Sequence, residues 1–348
     1  MKFYAITIKP TSGFGTPFKG DTIFGHFCWQ AAYDASLLDG GLDHQISRYP
    51  EKPFAVFSSA FPKLINKNQT TYLLKRPELP FSFMVPPQKD KALKIKENKE
   101  FKNKKWMAVN ETLDLNLKKV RFMDDHEVLA ETTGVLPEGV RRRIKKTEQP
   151  EFMKGSSQSH NTINRMTQTT GAGMFAPYAK ENQYYFPETE LVVFVLIEES
   201  ATDINKVKIG LEQIGKWGFG RDASTGLGRF TVGAVDELPL PALTGASACY
   251  ALAPCVPGKD TFKDIFFTPF IRFGKHGDKL ACYGNPFKNP VIMADEGAML
   301  IPNDNTAFQK PYIGRAVTHV SKTMPETVVQ GYAPYLPLEM EISNETNL

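Results

Sequence analysis

Residues 218–230, Gly-Phe-Gly-Arg-Asp-Ala-Ser-Thr-Gly-Leu-Gly-Arg-Phe, place four glycines within eleven positions, between a helix and a strand. Upstream, Ile204, Val207, Leu211 and Ile214 recur at helical spacing, and downstream Arg229 to Val235 reads as a strand. Glycine alone takes positive φ freely and lets a backbone approach a ligand, and successive free N–H groups form a cradle for anions. Gly218, Phe219, Gly220, Arg221, Ser224, Thr225, Gly226, Gly228 and Arg229 are therefore candidate anion contacts. Gly218-x-Gly220-x-x-Ala223 has the spacing of a dinucleotide fingerprint, but that motif must leave a strand and open a helix. Here the order is reversed, which excludes a nucleotide cofactor. An anion-binding loop and a ligand-free connection both remain open.

The N-terminal segment has the same flavour. Met1 to Ile8 alternates like a first strand, and Thr16 to Tyr33 reads as a loop entering a buried helix. Asp21 is the expected N-cap, with Phe24, Phe27, Cys28 and Ala31 as the apolar stripe. Lys19 precedes Gly20, the wrong order for a phosphate-binding loop that ends Gly-Lys-Ser/Thr. Gly25 inside the helix costs about 1 kcal/mol against Ala and predicts close approach by another backbone or a ligand.

These segments resemble those of one family. Lys19 to Trp29 resembles the first-helix motif of the RAMP superfamily of CRISPR-associated proteins, and Gly218 to Phe230 its glycine-rich loop. Ser159 to Gly171 is similar to the segment such proteins carry before a central β-hairpin. Val329 to Leu338 resembles the ending of the fourth-subunit family of type III-A Csm complexes. The similar segments run from residue 1 to 340 in the expected order.

Composition agrees. The 348 residues suit one large or two ordinary domains, and 41% apolar residues with 25 Phe suffice for a core. No stretch approaches the ~18 apolar residues of a membrane helix, and Met1 to Pro10 is too short and strand-like for a signal peptide. Cysteines at 28, 249, 255 and 282 form no Cys-x-x-Cys pair, so a cytoplasmic protein without metal or cofactor is expected. Net charge is only +4, but it is clustered. Lysines are dense from Lys89 to Arg121, with Lys102, Lys104 and Lys105 beside Trp106. Arg141, Arg142, Arg143, Lys145 and Lys146 form a second cluster, and Asp124, Asp125, Glu127 and Glu131 lie between the two. Basic clusters beside aromatics suit a phosphate footprint; a solvated loop is the alternative. The arginines are the better candidates, since guanidinium binds phosphate bidentately.

Further strands are expected at 54–61, 71–75 and 191–197, a polar insertion at about 82–154, and a hairpin of Met174–Tyr178 and Gln183–Pro187 turning at 180–182. This order fits a β-α-β-β-α-β unit. Pro239 to Gly245 reads as a linker, followed by short strands without a strong helix. The resemblance implies an α+β protein of two ferredoxin-like (RRM-like) domains, 1–240 and 241–348. The first carries a basic thumb-like insertion and ends in the glycine-rich loop; the second is degenerate.

Catalytic signals are sparse. His26 and His160 have the chemistry for metal-independent RNA cleavage, as in RAMP relatives that mature CRISPR transcripts, but a histidine on a Phe-rich helix more often packs or stacks. Asp124 and Asp125 invite comparison with the loop aspartate of the RNA-cutting backbone subunit; a solvated face or a protein contact is the simpler reading. The resemblance implies a non-catalytic subunit that holds the 5′ handle of a crRNA and docks a large polymerase-like subunit and backbone RAMP subunits, without membrane contact. Lys19, Gly20, His26, Arg141, Arg142, Arg143, His160, Asn161, Arg165 and Thr167 join the glycine loop as expected RNA contacts, and the insertion is expected to serve as a thumb. A transcript-maturing endoribonuclease and a protein-interaction module are the competing expectations.

Overall fold

The computed structural model describes residues 1–66, 69–85, 90–144, 151–282 and 284–340. Strand β1 (Lys2–Pro10) is buried on both faces from Phe3 to Ile8 and leads to α1 (Gly20–Tyr33), α2 (Gly41–Arg48) and β2 (Ala55–Asn66). After β2 come β3 (Gln69–Lys75), α3 (Lys91–Lys102), β4 (Trp106–Asn110), β5 (Arg121–Met123), α4 (Asp125–Val135) and α5 (Glu138–Ile144). A hairpin, β6 (Met153–His160) and β7 (Tyr178–Tyr185), precedes β8 (Glu190–Ile197), α6 (Ile204–Trp217) and β9 (Phe230–Leu238). The first sheet has the antiparallel order β5-β4-β3-β2-β8-β1-β9. Its β9-β1-β8-β2 portion, with α1 after β1 and α6 after β8, is the ferredoxin-like unit. The continuous apolar run Leu191 to Ile197 explains the central place of β8, because only a strand covered on both faces buries every residue.

The second half contains β10 (Ala248–Ala251), β11 (Phe262–Phe266), β12 (Pro269–Arg272), β13 (Val291–Ala294), β14 (Met299–Pro302), β15 (Tyr312–Gly314) and β16 (Tyr332–Leu338). Its sheet order is β11-β14-β10-β16-β15, with β12 and β13 pairing separately. Among the described residues, the second half contains no α-helix of its own. They share a core with the first sheet instead: Tyr250, Leu252, Met299 and Leu336 join Phe24, Phe54 and Phe57 in one cluster.

The junction is built on a bulge. The register of β2 against β8 shifts between Phe57 and Ala60. There Phe194 N–H donates to Ser58 Oγ at 2.8 Å, and the Phe57 N–H and C=O bond the Gln330 carboxamide at 3.0 and 2.8 Å. Gln330 is fully buried. The bulge also turns Ser59 N–H toward Leu252 O (2.9 Å) and Ala60 N–H toward Phe18 O (2.9 Å). One irregularity thus anchors three segments, since each ladder group released by the bulge finds a new partner.

Three expectations change. Asp21 lies in the first turn of α1 rather than at its cap, which is Lys19. Its carboxylate receives Arg272 Nε and Nη2 at 2.5 and 2.9 Å, and a forked charge-assisted pair outcompetes a capping bond. Gly25 meets no protein atom within 4 Å of an added Cβ, so no backbone approaches it. The expected turn at 180–182 is straight strand: β7 pairs with β6 from Met153↔Tyr185 to His160↔Tyr178. Lys180 to Asn182 stay in the ladder although Asn182 could take positive φ, and the chain reverses instead in the connection 161–177, which holds Gln168 (φ 57°) and Gly173 (φ 63°).

Candidate nucleic-acid interface

All four loop glycines have positive φ: 103° at Gly218, 73° at Gly220, 97° at Gly226 and 72° at Gly228. The loop folds back on itself. Phe219 N–H bonds Gly228 O (2.9 Å), Gly228 N–H bonds Gly13 O (2.7 Å), and Arg229 N–H bonds Ser12 Oγ (2.8 Å). Gly220 N–H donates to His26 Nε2 (3.0 Å) and Arg221 N–H to Thr16 Oγ1 (2.9 Å). Most amides of the expected cradle are therefore already satisfied. Those of Asp222, Ala223 and Ser224 find no acceptor among the described residues, and they open the short 3₁₀ turn Ala223–Thr225. Ser224, Thr225 and Gly226 are the exposed crest beside them. Gly218, Phe219 and Gly228 are buried, and Phe219 packs on Phe18 (4.3 Å) and His26 (4.8 Å), so its ring is not available to stack on a base. The sequence showed which residues make the loop but not which of them face outward.

His26 is the pin that holds this loop. Burial drives its pKa down to about 4, so at neutral pH Nε2 is an unprotonated acceptor and the ring leans on Phe219. Acid–base catalysis would require that nitrogen to be free. A depressed histidine pKa makes stability fall with acid, because the unfolded chain takes up the proton first. Stability of the parent is expected to decline from about pH 6.5 to about pH 4, and less so in His26→Gln. Urea midpoints measured across that range test this; parallel declines would remove His26 as the pin.

Lys19 and Gly20 are structural. The Lys19 ammonium sits 2.5 Å from Asp295 and 2.6 Å from Glu296, almost sealed from solvent. Burial raises the Glu296 pKa. A Cβ on Gly20 would overlap Phe57 O, so the glycine serves close packing of α1 on the β2 bulge. A lysine already committed to two carboxylates is a poor phosphate ligand, which corrects the reading of the first-helix motif.

The β6–β7 hairpin is fastened to the loop. Lys180 Nζ meets Asp222 Oδ1 at 2.6 Å, Arg221 Nη2 donates to Glu181 O at 2.5 Å, and Phe14 and Gln183 exchange backbone bonds of 2.8 and 2.9 Å. Sequence inspection missed Lys180, Thr16 and Ser12, all distant in the chain from what they hold. Beyond that anchorage, Asn161, Arg165 and Thr167 are exposed in the 161–177 connection, and Met166 at its tip is 93% exposed. His160 stacks on Tyr178, with rings 5.3 Å apart and 13° from parallel. Arg229 lines, with Lys216 and Thr231, a cavity of about 560 Å³ beside β9.

The basic clusters are less free than their composition implied. Lys104 pairs with Glu127 (2.5 Å) and Lys105 with Asp125 (2.6 Å), while Asp124 and Glu127 form the capping box of α4. The acidic interruption thus neutralises the lysines beside it, and Asp124 and Asp125 have structural employment. Lys89, Lys145 and Lys146 lie outside the described residues, as does the Arg143 side chain. Arg141 bonds the α4 carbonyls Gly134 O (3.2 Å) and Leu136 O (2.9 Å), whereas Arg142 is exposed and pairs with Glu138 one turn away. Arg141→Gln is therefore expected to lower stability by about 1 kcal/mol. Arg142→Gln should leave stability unchanged and flatten the log–log salt dependence of single-stranded RNA binding by about 0.7. An unchanged slope would remove Arg142 from the RNA path.

A serine–histidine contact also emerged. His276 Nε2 lies 2.7 Å from Ser321 Oγ, but both are buried and the same hydroxyl accepts Met324 N–H at 3.0 Å. The pair closes a turn. Among the described residues, no His, Cys, Asp or Glu group is arranged to hold a metal, and no helix is long and apolar enough to cross a membrane.

No protein-family model and no curated protein sequence matches the chain. Solved structures do. A chain of the Csm3-Csm4 subcomplex in the type III-A CRISPR-Cas interference complex is 16% identical, with 97% of this chain and 100% of that chain covered and a TM-score of 0.55. A chain of the Csm1-Csm4 cassette in complex with pppApA is 15% identical (99% and 100% covered, TM-score 0.52). A chain of the same cassette in complex with AMPPNP is 16% identical (99% and 100% covered, TM-score 0.51). Csm4 is the component these assemblies share. At such identities the likeness is one of fold, and it extends over nearly the whole chain.

Proposed function

We propose that this chain is a non-catalytic, RNA-binding scaffold subunit of a type III-A CRISPR-Cas interference complex. It holds the 5′ handle of the crRNA and docks the large polymerase-like subunit on one side and the first backbone subunit on the other. The observation that carries the reading is the fastening of the glycine loop to the β6–β7 hairpin through Lys180–Asp222, Arg221–Glu181 and Phe14–Gln183. A face fixed in advance binds a flexible single strand without paying again for its own ordering. The free amides at 222–224 and the Ser224 hydroxyl offer donors to phosphate oxygens, while the Thr225 hydroxyl already donates to Asp222 O at 2.9 Å. Asn161, Arg165 and Thr167 offer contacts to splayed bases and 2′-hydroxyls, as single-stranded RNA recognition requires. Beside residues 82–154, the hairpin is a second candidate for the thumb role, because it pairs outside both large sheets and its connection carries the exposed Met166. The fold shared with Csm4-containing assemblies supports the choice of complex. Residues 1–240 and 241–348 are taken as its two ferredoxin-like domains.

The test is direct. Purified chain should bind isolated handle RNA with an affinity that falls steeply with salt, and should leave a repeat-containing transcript intact without metal. Cutting of that transcript, with His26→Ala abolishing it, would replace this reading by the maturation-enzyme alternative. Salt-insensitive or absent RNA binding would favour a protein-interaction module.

A further inference from the structure

The outer face of the β12–β13 ribbon has the wrong chemistry for solvent. Its inward residues do the packing: Arg272 pairs with Asp21, Phe270 lies under the Lys19 ammonium (4.7 Å), and Val291 and Met293 are buried. On the opposite face Ile271 and Ile292 are direct cross-strand partners, 47% and 67% exposed. Phe273, two residues beyond Ile271 and on the same side by strand alternation, is 74% exposed. Phe287, bridged to Lys275, is 64% exposed. A two-stranded ribbon with one solvated face alternates apolar and polar residues; this one is apolar on both. Clustered exposure of large apolar side chains marks an interaction site.

We infer that this face, centred on Ile271, Phe273, Phe287 and Ile292, docks a different protein subunit, one that presents an apolar ridge with a carboxylate at its margin. The margin is set by Lys275, whose ammonium lies 5.9 Å from the Phe287 ring centroid and has no ion-pair partner among the described residues. A second copy of this chain is a poor occupant. Two-fold packing opposes the patch to itself, and its four apolar residues supply no carboxylate for Lys275. RNA is also a poor occupant, because branched aliphatic Ile271 and Ile292 hold the centre, where base stacking needs planar rings.

The inference rests on the proposal that the chain is a complex subunit, and the experiment separates the two. Full-length parent, Ile271→Ser/Ile292→Ser and Lys275→Glu are titrated with the cognate large subunit, the first backbone subunit and handle RNA. Both changed sites are exposed, so thermal midpoints should match the parent. For one of the two subunits, the double variant should bind at least about tenfold more weakly, while RNA affinity stays within about twofold. Lys275→Glu should weaken the same subunit, and less so at high salt. If the parent binds a subunit and the double variant binds both equally well, the inference fails alone and the scaffold reading stands. If the parent binds neither subunit, the scaffold reading fails and takes the inference with it. Loss of RNA affinity with subunit binding intact would make the face a nucleic-acid platform and overturn the inference. A parent dimer that the double variant splits would overturn it in favour of self-association.

Discussion

Gln330→Leu should lower the unfolding free energy by about 4 kcal/mol, the largest stability effect expected of a single near-isosteric change in this chain. Leucine fills the same volume but offers neither acceptor to Phe57 N–H nor donor to Phe57 C=O, which the carboxamide holds at 3.0 and 2.8 Å. Each buried backbone group left without a partner costs about 1–3 kcal/mol, and Gln330 is fully buried, away from bulk solvent. Tyr332 O, 3.1 Å from Gln330 Nε2, loses a donor as well. Gln330→Glu should be worse than Leu: it still accepts from Phe57 N–H but cannot donate, and it buries a charge. Equilibrium urea unfolding of the three proteins gives the ranking. A leucine variant within about 1 kcal/mol of the parent would mean that the bulge relaxes to satisfy itself, and that the junction between the sheets rests on apolar packing alone.

For function, the expected effect is greatest at Gly228. Its φ of 72° disfavours any side chain, and a Cβ there would overlap both the carbonyl oxygen and the amide nitrogen of Phe219. Those are backbone atoms in the middle of the loop and cannot swing aside. Gly228→Ala should therefore open the loop, release Gly220 from His26 and cut handle-RNA affinity by about 100-fold, equivalent to about 2.8 kcal/mol. Gly226→Ala is the control: its φ is 97°, yet an added Cβ meets nothing within 4 Å. It should cost about 1–2 kcal/mol of loop strain and much less RNA binding. Handle affinity measured beside thermal stability separates the effects. Parent-like RNA binding by a folded Gly228→Ala would reduce the loop to a connection. Gly220→Val is a weaker probe, because it collides with the Thr16 side chain at 2.5 Å and disturbs the anchor together with any ligand.

Elements whose signal is local were legible in advance. The run Leu191 to Ile197 read as a strand, and Ile204 to Trp217 carried a helical stripe that ends at Gly218. The four glycines between helix and strand all took the positive φ their identity suggested, because that preference belongs to the residue itself. The resemblance of four ordered segments pointed to the fold that the solved assemblies share. Partnership was not legible. Asp21 has the composition and position of a cap, and Arg272, some 250 residues away, takes its carboxylate instead. Lys19 looked like a phosphate ligand until Asp295 and Glu296 folded onto it, and Lys104 and Lys105 looked free until Glu127 and Asp125 paired with them.

Local conformational preference and periodicity are properties of neighbouring residues, and so strands β1 and β8, helices α1 and α6 and the shape-giving glycines could be read from the chain by itself. Which polar groups remain available to a ligand depends on which distant groups already satisfy them, and that was decided only in the tertiary structure. Burying His26 against Phe219 made it an acceptor for Gly220 N–H rather than a proton shuttle. Pairing β7 with β6 along its length carried Lys180 to Asp222 and fixed the hairpin to the glycine loop. The same packing left Ile271, Phe273, Phe287 and Ile292 uncovered, because the inward side of their ribbon was already spent on joining the two halves.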